Sequence, residues 1–419
     1  MTEQRVEGPF TIPAGCIVPA GLPPAIRTSE PGSFARYTFT QRVPRILTDT
    51  LELNDFPAAI RLALEALHAE LTGGVIRGLQ EDTPDRVFWN RVAAPHLGRG
   101  WLEVPWYWGG AYFYRRLLEA TRYFQPGPWQ HVDPFGPKKA TELVPEAAPK
   151  AVIALVRHLP EDPRARFETL LHASLWGNRS DLSYEVAAHL GRPTGTRDED
   201  QDLLVDDTAQ VWEALRTNQI PRLAMLADNA GTELLMDLLL ADELLGQGRV
   251  AEVHLHLKPQ PFFVSDAMPQ DVVAGLEALE AAGEAAGPLV RRLRDHLSGG
   301  RLHLFTHWHY TTSLFYFQLP EDLREVLAGM DLVIVKGDAN YRRLLGDAHW
   351  PPTTPFAEVT RYFPAPLVAL RTLKAEIIVG LRSGEAKRLN AEDGSWLVNG
   401  RRGVVQANLR RFEGKAGMR

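Results

Sequence analysis

From about residue 215 onward, apolar runs of strand length alternate with amphipathic segments, and nothing else in the chain constrains its fold as tightly. Residues 222–227 lead into 233–245, Val250–Leu257 into 269–282, and 331–335 into 341–345, with Leu302–Thr306 as a further run. Short, nearly continuous apolar runs suit strands buried on both faces. Their alternation with helical patterns argues for a parallel, doubly wound sheet. Residues 375–380 read as another strand. Residues 396–406 read as a closing hairpin about Asn399-Gly400, a dipeptide that favours tight hairpin turns.

The texture upstream is different. Residues 1–43 are rich in Pro and Gly and read as an extended arm draped over the body. Residues 42–74 turn helical, with Ile60, Leu62, Leu64, Leu67 and Leu71 sharing one broad stripe up to Gly73-Gly74. An aromatic-rich helix follows within 100–123, then a loop over 124–140, and helices over 145–159 and 164–175. The expected fold is therefore α/β: a three-layer α/β/α, mostly parallel sheet over 201–419, preceded by a helical subdomain over 44–200 and the arm over 1–43.

Composition narrows the function classes. The chain has 419 residues, 45% of them hydrophobic, enough for an ample core. A net charge of −6 gives no reason to expect nucleic acid or an anionic membrane as partner. One cysteine, Cys16, excludes an internal disulfide and a cysteine-based zinc cage. The amino terminus lacks a signal-peptide pattern, and no apolar run is long enough for a membrane span, so a cytoplasmic location is expected.

Polar clusters punctuate the predicted strand ends. Asp228-Asn229 follows the first run and precedes a helix; a carboxylate and an amide oxygen there suit a hard divalent cation, although capping the helix would use the same residues. Asp266, about ten residues past His256, brings a second carboxylate to the same sheet edge, and it too would serve as a helix cap. Lys336-Gly337-Asp338, with Asn340, Tyr341 and Arg342 beyond, ends the third run. A lysine at a strand end beside a glycine turn fits an ammonium holding a phosphoryl oxygen; a snorkelling lysine is the alternative. Arg371 and Lys374, three residues apart, can meet one anionic group if they lie in a turn or short helix.

Other patterns carry less. His254 with His256, and His307 with His309, look like metal pairs. Strand alternation points each pair to one face without supplying further ligands, so both read as structural, with His307 near enough to a strand end to line the pocket. The run from Leu203 to Thr208 is similar to the aspartyl nucleophile motif of haloacid-dehalogenase-like phosphatases, but Asp206 and Asp207 are adjacent where that motif separates its acids. The absence of Gly-x-Gly-x-x-Gly and Walker patterns leaves nucleotide cofactors without support.

Taken together, Asp-Asn-Ala-Gly-x-Glu-Leu at 228–234, Val-Ser-Asp at 264–266, Lys-Gly-Asp-x-Asn-Tyr-Arg at 336–342 and Arg-Thr-x-Lys at 371–374 resemble the damage-control phosphatases. This former domain-of-unknown-function group includes a sugar-phosphate phosphatase also called acidic-residue methyltransferase. Arg-Thr-x-Lys marks the sugar-phosphate subfamily. Segments at 101–106, 114–116 and 175–183 also look like the family, so the resemblance runs from about 35 to 410. Ala339 and the run 306–309 depart from it, which bears on sugar preference.

The resemblance implies a metal-dependent phosphatase using Mn2+, Co2+, Ni2+ or Mg2+, acting on small phosphorylated sugars such as fructose 1-phosphate or fructose 6-phosphate. By motif matching, Asp228, Asn229 and Asp266 fall on its metal ligands. Asp338, Asn340, Tyr341, Arg342 and Lys374 fall on its phosphate and substrate contacts. Lys336 and Lys374, with Arg342 or Arg371, would neutralise phosphoryl oxygens. Direct attack by water is expected, since the Asp-x-Asp signature is missing. Two other functions stay in play: S-adenosylmethionine-dependent carboxyl methylation, the activity behind the family's other name, for which the chain shows no glycine-rich strand turn to build an adenosine pocket, and a non-catalytic sugar-phosphate sensor using the same basic residues.

Overall fold

Seven strands form one sheet in a computed structural model that describes residues 16–177 and 202–410. They are β1 (Leu203–Asp206), β2 (Ile220–Leu226), β3 (Val250–Leu257), β4 (Leu302–Thr306), β5 (Leu332–Lys336), β6 (Leu367–Thr372) and β7 (Gly403–Asn408). Their order is β1-β7-β6-β5-β2-β3-β4. Strands β2 to β6 are mutually parallel, whereas β7 runs antiparallel to β6 and parallel to β1. The mostly parallel sheet expected from the alternation is thus present, with helices on both faces.

Strand alternation divides the core in two. Ala224, Leu226, Val333, Val335 and Ala369 face one layer, where the Trp106–Ala120 helix and the other amino-terminal helices pack. Leu223, Met225, Ile334, Val368 and Leu370 face the other, which includes the Ala148–Arg157, Pro163–Trp176 and Thr232–Gly246 helices. The Thr232–Gly246 helix is leucine-rich on every side and almost wholly buried, and it carries Glu233, Asp237 and Asp242 inside with it. Buried acids need partners, and theirs shape the site described below.

Three local expectations change. The helical part begins at Phe34–Tyr37, capped by Ser33 Oγ accepting from the Arg36 N–H at 3.1 Å, and passes through a wide turn at Thr38–Arg42 into Val43–Leu53. The arm therefore ends near residue 33, and its first 15 residues lie outside those described. Residues 178–183 of the family-like segment lie outside them too. The strand expected at 375–380 is instead irregular chain, and β6 lies just upstream. Arg371 sits inside β6, buried, and its guanidinium donates to the carbonyls of Ala375 and Ile377, so these residues wrap around the arginine rather than pairing in the sheet. The hairpin at 396–406 is a turn at Asn399-Gly400 with a strand only on its far side; β7 pairs with β6 across some thirty intervening residues.

Among the described residues no helix is long and apolar enough to cross a membrane.

His309 gives the fold an acid-sensitive point. Its ring is fully buried, and neither ring nitrogen has a hydrogen-bond partner among the described residues. Burial, together with the nearby Arg343 charge, pushes its pKa well below the usual imidazole value. A depressed histidine pKa means the unfolded chain binds the proton better, so this contribution is full above about pH 6.5 and is lost as pH falls below it. His309→Phe should keep stability at pH 7 and flatten the decline between pH 6.5 and 5, read by denaturant melts at each pH. An unchanged decline would show that His309 is not its source.

Candidate active site

Strands β2, β3 and β4 step outward in one direction while β5 and β6 lie on the opposite side of β2. The chains leaving β2 and β5 therefore diverge, and in open α/β sheets that crevice beyond the strand ends is where ligands bind. Asp228-Asn229 leaves β2 and Lys336-Gly337 ends β5 at this point.

The loop after β3 folds back to meet them. Ala230 N–H donates to Ser265 O at 2.7 Å and Ala267 N–H to Asp228 O at 2.8 Å, an isolated antiparallel bridge between Asn229 and Asp266. To make this return, Phe263 and Val264 take positive φ values of 47° and 67°. A β-branched residue is strained there, at a cost on the order of 1–3 kcal/mol. The return brings Asp266 beside Asp228.

Gly337 settles where the Asp228 carboxylate goes. Its φ is +79°, and a Cβ on it would stand 2.0 Å from Asp228 Oδ2. The carboxylate thus lies on the bare backbone at the start of the Gly337–Leu345 helix, where the helix dipole favours an anion. Asn229 Nδ2 donates to Asp228 Oδ2 and to Glu233 Oε2, each at 2.8 Å, while its Oδ1 accepts from Ser265 Oγ at 2.5 Å. Asp228 Oδ1 is buried without a partner among the described residues. Burial raises the Asp228 pKa well above the ordinary carboxylate value, and the nearby Glu233 and Asp266 charges add to the shift. Burial raises Asp266 as well.

The strand-end lysines offset part of this charge. Lys336 is fully buried, and its ammonium lies 2.9 Å from Glu233 Oε1, 2.8 Å from Asp237 Oδ1 and 2.6 Å from Ser174 O. It neither snorkels nor points a spare N–H into the crevice, because three acceptors take its three donors. Burial and the neighbouring acid Glu233 still lift Asp237 to about 6, even beside this lysine. Lys258, just past β3, donates to Ala227 O at 2.7 Å and lies 3.0 Å from Asp266 Oδ2. Lys139, from the helical layer, donates to Asp266 O and to Asp271, each at 2.9 Å.

The remaining predicted residues form a second group, joined to the first through Gly337. Asp338 Oδ1 accepts from Arg371 Nε at 2.8 Å and from the Lys374 backbone N–H at 3.2 Å. The anion that Arg371 and Lys374 share is therefore Asp338, and Arg371 serves it from a strand rather than a turn. Asn340 turns inward: its Nδ2 reaches Lys336 O at 2.8 Å and Ala227 O at 3.2 Å, and its Oδ1 accepts from Tyr316 OH at 2.7 Å. Tyr341 also points into the core, donating to Gln406 Oε1 at 2.7 Å. Arg342 lies 3.8 Å over the Trp106 ring with its Nε on Asp347 at 2.6 Å, while its Nη2 is buried without a hydrogen bond among the described residues. His307 contacts Asp322, not the carboxylate cluster.

Sequence reasoning passed over Glu233, Asp237, Lys258 and Lys139. Two signals were present: acids one turn apart on a helix otherwise apolar all round, and a second lysine standing directly after a strand, as Lys336 does.

Similarity to known proteins coincides with this geometry. Residues 38–389 match the model of the damage-control phosphatase ARMT1-like domain. Curated proteins named damage-control phosphatase ARMT1 align along nearly their whole length. The one from Danio rerio is 32% identical, covering 92% of this chain and 97% of its own. The one from Homo sapiens is 31% identical, covering 92% of this chain and 99% of its own. A solved structure described as a DUF89 family protein from Pyrococcus horikoshii superposes with a TM-score of 0.48 at 16% identity, covering 89% of this chain and 98% of that one.

Two substitutions test the geometry. Gly337→Ala should expel Asp228 from its seat and cost about 1–3 kcal/mol in denaturant unfolding; unchanged stability would mean the close approach does not matter. Lys336→Met leaves Glu233 and Asp237 buried and uncompensated, which should cost about 3–5 kcal/mol in denaturant unfolding.

Proposed function

Because the chain belongs to the ARMT1-like damage-control phosphatase family, we propose that it is a divalent-metal-dependent phosphatase. Its substrates on this reading are phosphomonoesters of small sugars of the fructose 1-phosphate or fructose 6-phosphate type. The observation that carries this is the unpartnered Asp228 Oδ1 within a buried group of carboxylates at the switch point. Oxygen donors crowded together, with their protonated forms favoured by burial and mutual repulsion, are what a hard cation relieves. Asp228, Asn229 and Asp266 would hold the ion, and Glu233 stands behind Asn229 to orient it. When bound, the ion polarises a phosphoryl oxygen and acidifies water.

The protein's own groups have separate tasks on this reading. Lys336 and Lys258 are positioning residues: they hold Glu233 and Asp266 in place, so that the ligands need no reorganisation during the reaction. Arg342, whose Nη2 has no hydrogen bond among the described residues and whose plane is held by Trp106, is placed to bind substrate oxygens, together with Lys374. Asp338 is locked by Arg371 and shapes the turn that admits substrate. Asn340 and Tyr341 brace that turn from below. Water attacks phosphorus directly, with Asp228 beside it; trapping a phospho-aspartate at Asp228 would overturn that step.

The test is phosphate release from a panel of sugar phosphates, using metal-stripped protein reloaded with Mn2+, Co2+, Ni2+ or Mg2+. Release should return with metal and fall by at least about 100-fold in Asp228→Asn. Tight sugar-phosphate binding with no release under any ion would instead favour a sensor.

A further inference from the structure

Alternation along β3 puts Glu252 on the same face as His254, and the neighbouring strand adds His303. Glu252 and His254 are two residues apart on β3 and share a face, and His303 on β4 pairs directly with His254. The two imidazole rings stack with centroids 4.6 Å apart. Glu252 Oε2 lies 3.2 Å from His254 Nε2 and 3.8 Å from His303 Nε2. One ligand atom from each of the three residues falls within 4.8 Å of the others.

We propose that Glu252, His254 and His303 form a second metal site, for a borderline first-row cation such as Zn2+, at the outer edge of the sheet. A tetrahedral site with bonds of ~2.1 Å sets its ligand atoms about 3.4 Å apart. The two carboxylate–imidazole separations bracket that value. His303 Nε2 is buried without a hydrogen-bond partner among the described residues, although the side chain as a whole is 39% exposed. The open side faces solvent and leaves a fourth position for water.

This site is not the carboxylate cluster. His254 precedes Lys258 by four residues, about 13 Å at ~3.3 Å per residue along the strand. Its donor set also differs: imidazole with one carboxylate selects Zn2+, Ni2+ or Co2+, whereas oxygen-only donors suit Mg2+ and Mn2+. A bound ion would clamp β4, the edge strand, onto β3, covering one of the sheet's two weak margins. It would also make the chain hold more than one ion of nickel or cobalt but not of magnesium.

The experiment is equilibrium dialysis of the full-length Asp228→Asn protein against Zn2+, with Co2+ visible absorption as a second readout. About one zinc should remain bound per chain, and Co2+ should give the intense d–d bands of a low-coordinate site. Adding His303→Gln or His254→Gln should abolish those bands and weaken zinc by more than the roughly 10–100-fold that loss of an outer partner costs. Mg2+ should not compete. Glu252→Gln, at a half-exposed position, gives a third variant, and it should weaken zinc in the same direction. Absence of zinc from Asp228→Asn, or unchanged affinity when His303→Gln, His254→Gln or Glu252→Gln is added, would overturn the proposal.

Discussion

The site depends on a balance of buried charge. Asp228, Glu233, Asp237 and Asp266 are all drawn into the interior at one end of the sheet, and lysines from three directions answer them. Lys336 comes from the end of β5, Lys258 from the end of β3, and Lys139 from the helical layer. Removing ions from water is expensive unless partners are close and well aligned. Lys336 meets that demand with three acceptors. Burial raises the pKa of both Asp228 and Asp266, and the neighbouring Glu233 and Asp266 raise Asp228 further. A cation at that spot would offset the cost of burying these carboxylates.

Backbone geometry turns this charge balance into a shaped site. Gly337 lets the Asp228 carboxylate rest against the start of a helix, and Gly231, at φ +70°, lets Glu142 approach the next helix start, where its carboxylate accepts from the Thr232 N–H at 3.1 Å. The strained Phe263-Val264 turn returns Asp266 to the same crevice. Strain of this kind persists only where the surroundings over-determine it. Here the bridge between Asn229 and Asp266 and the Lys258 contact with Ala227 O do so.

Much of this was legible in the chain. Apolar runs interrupted by polar strand ends gave away β2, β3, β4 and β5, and with them the position of Asp228, Asp266 and Lys336. What stayed hidden involved charges inside elements. Arg371 within β6 disguised that strand, and the carbonyls it gathers made 375–380 look like one. The strand β7 declared only its turn, because its partner is distant in sequence. Glu233 and Asp237 stand in the sequence only as acids one turn apart, since burial of an i, i+4 acid pair cannot be told from exposure until the opposing lysine is placed. Lys336 was expected to face a phosphate, and Asn340 and Tyr341 to face substrate. All three point at the protein itself, because a strand end packed between two layers leaves little room outward. His254 gained His303 from a neighbouring strand, which periodicity along one segment cannot foresee.

The claim at the centre of this account is that the crevice between β2 and β5 is a cation site built from oxygen donors. The most direct measurement is an anomalous difference map from crystals grown with Mn2+, a hard ion that prefers those donors over imidazole. The account predicts a single strong peak in contact with Asp228 Oδ1 and Asp266, with Asn229 as the third protein ligand. An empty crevice with Asp228 still seated against Gly337, under manganese sufficient for activity, would contradict it.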